Sequence, residues 1–226
     1  MGFSVEITGE YACFSRPELK VERVSYDIIT PSAARGILEA VFWKPAIRYV
    51  IDEIRVCSPI QFENIRRNEV NNKTSKTKEH IFTSEDRTQR TSMVLKKVKY
   101  VVTAHFEPVV EKLNLPNKPD EETCDTFADG SFNHGKFAER ITCRIKKGQC
   151  FHQPYLGTRE FPAALRLIED GNYPKAIAED RNFGIMLYDI DYVKDVNGDV
   201  TKFTPTYFRA EMKQGVVDLR NVEVMK

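Results

Sequence analysis

An α+β fold is predicted by three features of this 226-residue chain. Apolar residues alternate with polar ones near the N-terminus, two later stretches repeat apolar residues at helical spacing, and the last third carries strand patterns alone. Phe3, Val5 and Ile7 alternate with polar neighbours and form a first, half-buried strand. Thr30-Pro31-Ser32 opens a helix, with Thr30 as N-cap and Pro31 in the first turn. Ile37, Leu38, Val41 and Phe42 continue it on one face, and Pro45 stops it. Ile47 to Phe62 is rich in Ile and Val and reads as a long strand. Asn64 to Glu79 is polar, basic and aperiodic, which predicts a mobile loop longer than an ordinary connection. Met93 to Val109 is the next strand, followed by the Pro- and acid-rich connection LPNKPDEETCDTFADG. In NHGKFAERITCRIKKGQC, Phe137, Ile141 and Ile145 recur every four residues. That spacing predicts an amphipathic helix, with Gly148 placed to end it. Glu160 to Glu169 is a strand after a turn at Leu156-Gly157.

The order strand, helix, strand, strand, helix, strand predicts a ferredoxin-like, RNA-recognition-motif-like βαββαβ core over residues 1–170. Residues 171–226 are predicted as a C-terminal antiparallel β-sheet extension. FGIMLYDIDYV is its first strand, Asn197-Gly198 its hairpin turn, and Thr206–Ala210 and Val216–Leu219 further short strands.

The composition is that of an ordinary globular chain, 41% hydrophobic and 30% charged, with a net charge of +1. No run of about 20 apolar residues appears, so no membrane span is expected. The segment MGFSVEITGE lacks the basic and apolar regions of a signal peptide. The cysteines Cys13, Cys57, Cys124, Cys143 and Cys150 are odd in number and scattered. Reduced thiols and a cytoplasmic location are therefore expected. No Cys pair has zinc-ligand spacing and no phosphate-binding or metalloprotease motif is present, so neither a metal nor a cofactor is predicted.

The near-zero net charge conceals segregation. Between Asn64 and Tyr100 ten basic residues face four acids, and between Gly135 and Cys150 five basic residues face Glu139 alone. Such segregation suits a polyanionic partner. His105 lies in an apolar strand and is expected to be a hydrogen-bonded structural residue. His134 and Lys136 stand at the head of the basic helix, where unpaired N–H groups and the helix dipole favour a phosphate. A histidine there is also the usual kind of general acid or base.

Two blocks carry a family resemblance. FWKPAIRYVIDEIRV after the TPSAARGILEA helix, and GQCFHQPYLGTREFPA after the basic helix, resemble the CRISPR-associated Cas-five-d family of type I-C systems (the Dvulg subtype). The resemblance covers nearly the whole chain. It implies a ferredoxin-like core with a C-terminal β-sheet extension, and binding to CRISPR repeat RNA. It also implies a place among the subunits of the type I-C surveillance complex. Members cut precursor RNA at the base of the repeat hairpin without metal, using the 2′-hydroxyl as nucleophile and leaving a cyclic phosphate.

The family's catalytic set is a Tyr in a Tyr-Trp-Lys-Pro block and a consecutive Lys-His at the second helix. This chain has Phe42-Trp43-Lys44-Pro45 and Lys136-Phe137. Lys136 is therefore the expected phosphate stabiliser and His134 the substitute acid or base, and Phe137→His is expected to hold or raise activity. Lys44, Arg66, Arg67, Lys96, Lys97, Arg140 and Lys147 are candidate RNA-backbone contacts. Exposed aromatics among Tyr11, Tyr26, Trp43, Tyr49 and Tyr155 are candidates for stacking on an unpaired base. Duplex DNA is a further candidate partner. A non-catalytic subunit that holds the 5′ tag of the guide RNA is the alternative.

Overall fold

The computed structural model describes residues 2–19, 21–72, 80–110, 125–126, 131–169, 171–194 and 200–226. The first strand, β1, spans Gly2–Ala12 and the short β2 Arg23–Val24. Helix α1 covers Pro31–Val41. Strands β3 (Ile47–Val56), β4 (Phe62–Val70) and β5 (Arg87–Pro108) follow, then helix α2 (His134–Lys146) and β6 (Ala164–Ile168). The last third holds β7 (Arg181–Lys194), β8 (Val200–Met212), β9 (Val216–Asp218) and β10 (Val224–Met225).

The helix signals in the sequence are realised at the atoms. The Thr30 hydroxyl accepts from the Ala33 N–H, and Pro31 occupies the first turn. The Asn133 side chain caps α2 by accepting from the Lys136 N–H at 3.0 Å. At its other end Gly148 takes φ +62°, which allows Gly148 N–H to reach Ile145 O and Gln149 N–H to reach Arg144 O.

One sheet runs in the order β6-β1-β5-β3-β9, with β2 and β4 also pairing with β5. All of these pairs are antiparallel except β2 with β5. A second sheet runs β10-β8-β7. Phe3, Val5 and Ile7 face Ala104, Val102 and Tyr100 of β5 on the buried side. Against that side pack Ala34, Ile37, Leu38 and Val41 of α1 and Phe137, Ile141 and Ile145 of α2. Arg35 of α1 donates to Asp189 of β7 at 2.6 Å, tying the second sheet to the first helix.

The other side of the first sheet is covered from within the chain. Ser4 shares hydrogen bonds with Thr103 and with the Tyr173 hydroxyl, and Arg55 lies 5.0 Å from the Tyr173 ring centre. Ile177 N–H donates to Val56 O. Glu6 is buried between Arg166 at 3.0 Å and Lys99 at 3.1 Å. Burial opposes ionisation of Glu6, but its hydrogen bonds to Arg166 and Lys99 prevail and hold the carboxyl below its usual pKa. His105 shares a 2.9 Å hydrogen bond with Asp52, the structural role expected of it.

Two expectations change. The basic stretch beginning at Asn64 is not all loop: residues 64–70 belong to β4, paired with β5 from Phe62 opposite Leu95 to Val70 opposite Arg87. The pattern was missed because β4 buries little; its residues alternate between exposed and half-buried, and its stability comes from backbone pairing. Second, the C-terminal third does not form one sheet, since β9 joins β3 in the first, Val217 opposite Ile54. The Asn197-Gly198 turn, Cys124 and the lysines between 73 and 79 lie outside the described residues.

Candidate active site

The ends of α1 and α2 meet over a cluster of aromatic rings. Phe137 is fully buried. Its ring stacks on Phe132 at 5.0 Å and lies 6.4 Å from Phe42 and 6.2 Å from Phe106. Tyr49 reaches the same cluster from β3 and donates its hydroxyl to Phe42 O at 2.6 Å. Burial pushes the Tyr49 phenol far above its ordinary pKa, so it stays a neutral donor. Both positions that resemblance assigns to a catalytic Tyr and His are thus core phenylalanines.

Lys136 stands beside them at the surface. Its ammonium donates to Asp125 at 3.0 Å, and the Asp125 side chain is almost wholly buried. A buried carboxylate aimed at Lys136 fixes where its positive charge sits. Asn133, Gly135, Lys136, Glu139, Arg140 and Cys143 line one hollow. A second hollow, lined by Arg140, Cys143, Arg144, Gly148, Gln149 and Cys150, continues from it. The shared Arg140 and Cys143 make the two a single trough along α2. His134 does not line it; the ring is exposed and sits edge-on to Phe132 at 4.6 Å.

The other candidates are distributed. Arg140 is exposed on α2 and Lys147 is exposed at its C-cap, and Lys44 is half-buried just past the end of α1. Lys96 is bound by Glu63 at 2.7 Å. Lys97 is exposed and takes φ +50° where β5 passes from pairing with β3 to pairing with β4. Arg66 and Arg67 are separated by the strand's two-residue period. Arg66 is exposed, whereas Arg67 is half-buried and bound by Glu160 and, at 2.7 Å, by Ser92.

Among the aromatic candidates, Trp43 is 54% exposed and Tyr155 is exposed, whereas Tyr26 and Tyr49 are buried. Sequence reasoning missed Phe151, which is 75% exposed. Phe151 and His152 both donate backbone N–H groups to Ala40 O, which anchors them at the end of α1 that carries Trp43. It also left Asp125 and Arg144 out of the site. For Arg144 the signal was available, since it lies eight residues after Lys136.

Comparison with known proteins shows the family. Residues 3–220 match the Cas5d form of the family described as CRISPR-associated protein (Cas_Cas5). The chain belongs to the Cas5d family. Two relatives called CRISPR pre-crRNA endoribonuclease Cas5d support the assignment. That of Mannheimia succiniciproducens is 45% identical over 233 residues, spanning 95% of this chain and 93% of the relative. That of Thermus thermophilus is 39% identical over 227 residues, spanning 95% and 90%.

Two solved structures share the fold of this Cas5d-family chain. A crystal structure of a CRISPR-associated protein superposes with TM-score 0.66 at 19% identity, covering all of this chain and 97% of the other. The Streptococcus mutans protein SMU1763c, described as functionally uncharacterized, gives TM-score 0.64 at 21% identity with the same coverage.

Proposed function

We propose that this chain is a CRISPR pre-crRNA endoribonuclease whose reaction centre lies at the head of α2. The observation that carries the reading is 45% identity, over nearly the whole length of both proteins, to a relative named for that activity. The site is chemically suited to it. The 2′-oxygen forms a bond to phosphorus as the bond to the 5′-oxygen breaks, giving a cyclic phosphate and a 5′-hydroxyl. Lys136 supplies positive charge to the phosphorane, and the α2 N-terminus adds its dipole. His134 is the proton carrier closest in sequence to Lys136. The reaction in this reading needs no metal.

The strand order β6-β1-β5-β3, with α1 after β1 and α2 after β5, supports a ferredoxin-like core within residues 1–170, with 171–226 as its extension. Lys44, Arg66, Lys97, Arg140 and Lys147 serve as contacts to the RNA backbone. Lys96 and Arg67, already bound to carboxylates, contribute less. The protein works in the cytoplasm as a subunit of a type I-C complex, with duplex DNA as a further ligand. Among the described residues no helix is long and apolar enough to cross a membrane.

The deciding experiment incubates the protein with labelled repeat RNA in EDTA. Cleavage at one position is expected, with a cyclic phosphate on the upstream fragment. A 2′-deoxy sugar at the nucleotide 5′ of the cut should abolish it. Full cleavage of the deoxy substrate would refute the mechanism. Binding without cleavage would favour a second reading, a subunit that holds the 5′ tag. The buried phenylalanines at 42 and 137 are the observation behind that alternative.

A second outcome concerns binding. Affinity should fall with salt at a log–log slope of about 0.7–0.9 per phosphate contact. Arg66→Ala should weaken all RNAs alike and reduce that slope by roughly one contact. Arg67→Ala should instead lower the melting temperature, because its partners tie β4 to β5 and to Glu160. A salt-independent affinity would show that phosphate contacts do not dominate.

A further inference from the structure

The trough along α2 carries cations at a fixed interval. Lys136, Arg140 and Arg144 are four residues apart, a rise of about 6 Å per step in an α-helix. Successive phosphates of an RNA strand are separated on the same scale. The three cations are not equivalent. Lys136 is paired with and aimed by Asp125. Among the described residues, Arg140 and Arg144 have no carboxylate within ion-pair distance.

Arg144 is nevertheless held in place. Its Nε is buried without an acceptor among the described residues, and its guanidinium lies 6.0 Å from the centre of the Phe42 ring. A guanidinium braced on an aromatic face keeps its charge and its donor fork available for an oxyanion. The acid of the trough, Glu139, lines the hollow at Lys136 and is absent from the hollow at Arg144. An anion at Arg144 therefore meets cations without a competing carboxylate. The ring at 42 acts through its face, as the platform for Arg144.

We propose that Arg144 is a positioning residue for the RNA, gripping one phosphate two linkages from the scissile phosphate held at Lys136, with Arg140 between them. The proposal rests on the nuclease reading for the identity of the strand. Its test is a double-mutant cycle in binding. Repeat RNA is made uncleavable by a 2′-deoxy sugar 5′ of the cut. A series of such RNAs each carries a single neutral methylphosphonate linkage. Dissociation constants are measured for the wild type, Arg144→Ala and Arg144→Lys, with melting curves to confirm folding. Arg144→Gln replaces the alanine variant if that one does not fold.

One linkage, two from the cut, should cost the wild type about ten-fold or more in affinity and cost Arg144→Ala nothing further. Arg144→Lys should fall between, because it keeps the charge and loses the fork. If every linkage costs the variant as much as the wild type, Arg144 grips no phosphate and the proposal is overturned. Coupling at that linkage in a protein that does not cut all-ribose RNA would uphold the grip and remove the nuclease reading. Cleavage without coupling would do the reverse.

Discussion

Lys136→Ala is expected to slow single-turnover cleavage of repeat RNA by about 10² or more, the scale of losing one transition-state donor. RNA affinity should change little, because several other cations carry the electrostatic attraction. The variant has a second effect that must be separated. Asp125 is almost wholly buried and points at the Lys136 ammonium. Losing that counter-charge lowers stability as well as rate. Lys136→Ala with Asp125→Asn should therefore recover melting temperature and remain slow. Asp125→Asn alone should keep the lysine charge and lose its aim, giving a smaller loss of rate. Melting curves and single-turnover rates on the four proteins separate the two effects. Cleavage by Lys136→Ala at the wild-type rate would move the reaction centre away from the head of α2.

Phe137→His is expected to destabilise the protein by about 2–4 kcal/mol, the sum of lost apolar packing and a buried polar ring. Resemblance alone points the other way, since it would restore the family's Lys-His pair. The structure explains the reversal. Phe137 touches no solvent and packs among Phe132, Phe42 and Phe106. An imidazole in that position has aromatic faces around it, and at low pH it must either stay neutral or unfold the helix. Stability of the variant should therefore fall further as pH drops through the ordinary histidine range. Denaturant titrations at pH 5 and pH 8 check this. A variant as stable as the wild type, cutting faster, would show that the ring at 137 can turn outward.

Both helices were legible in the sequence because their ends are local chemistry. Thr30 with Pro31, and Gly148 with its positive φ, act within one turn of themselves. Strand β4 was illegible for the opposite reason: NIRRNEV has only two apolar residues, Ile65 and Val70, on opposite faces, and only its pairing with the distant Arg87–Leu95 makes it a strand. The site shows the same division. Lys136 could be chosen from sequence spacing and family pattern. The role of Asp125 could not, because it depends on the pairing of Thr126 with Phe132 and of Asp125 O with the Asn133 N–H, which holds the carboxylate beside the helix. The four-residue spacing placed Phe137 on the apolar face, where the structure has it, whereas the family motif says which residue is present and not whether it faces water. Arg66 and Arg67 look alike as neighbours, and only the pleat of β4 assigns one to solvent and one to Glu160.

The return of β9 to the first sheet has a consequence for how the chain behaves before and after folding. Without β9 the outer edge of β3 would be an open row of N–H and C=O groups, with Ile54 and Val56 beside it. Such an edge is a template for pairing with another copy, and crowded nascent chains would find it. Val217 opposite Ile54, with Leu219 N–H on Asp52 O and Val56 N–H on Gly215 O, closes that row from Asp52 to Val56. The segment that does so leaves the ribosome after every other strand of that sheet. Until then the earlier strands are exposed to self-association, so β9 acts as a built-in guard against clumping. Insertions between β8 and β9 that delay this closure would trade solubility for length, which favours a short, fixed spacing at this point of the chain.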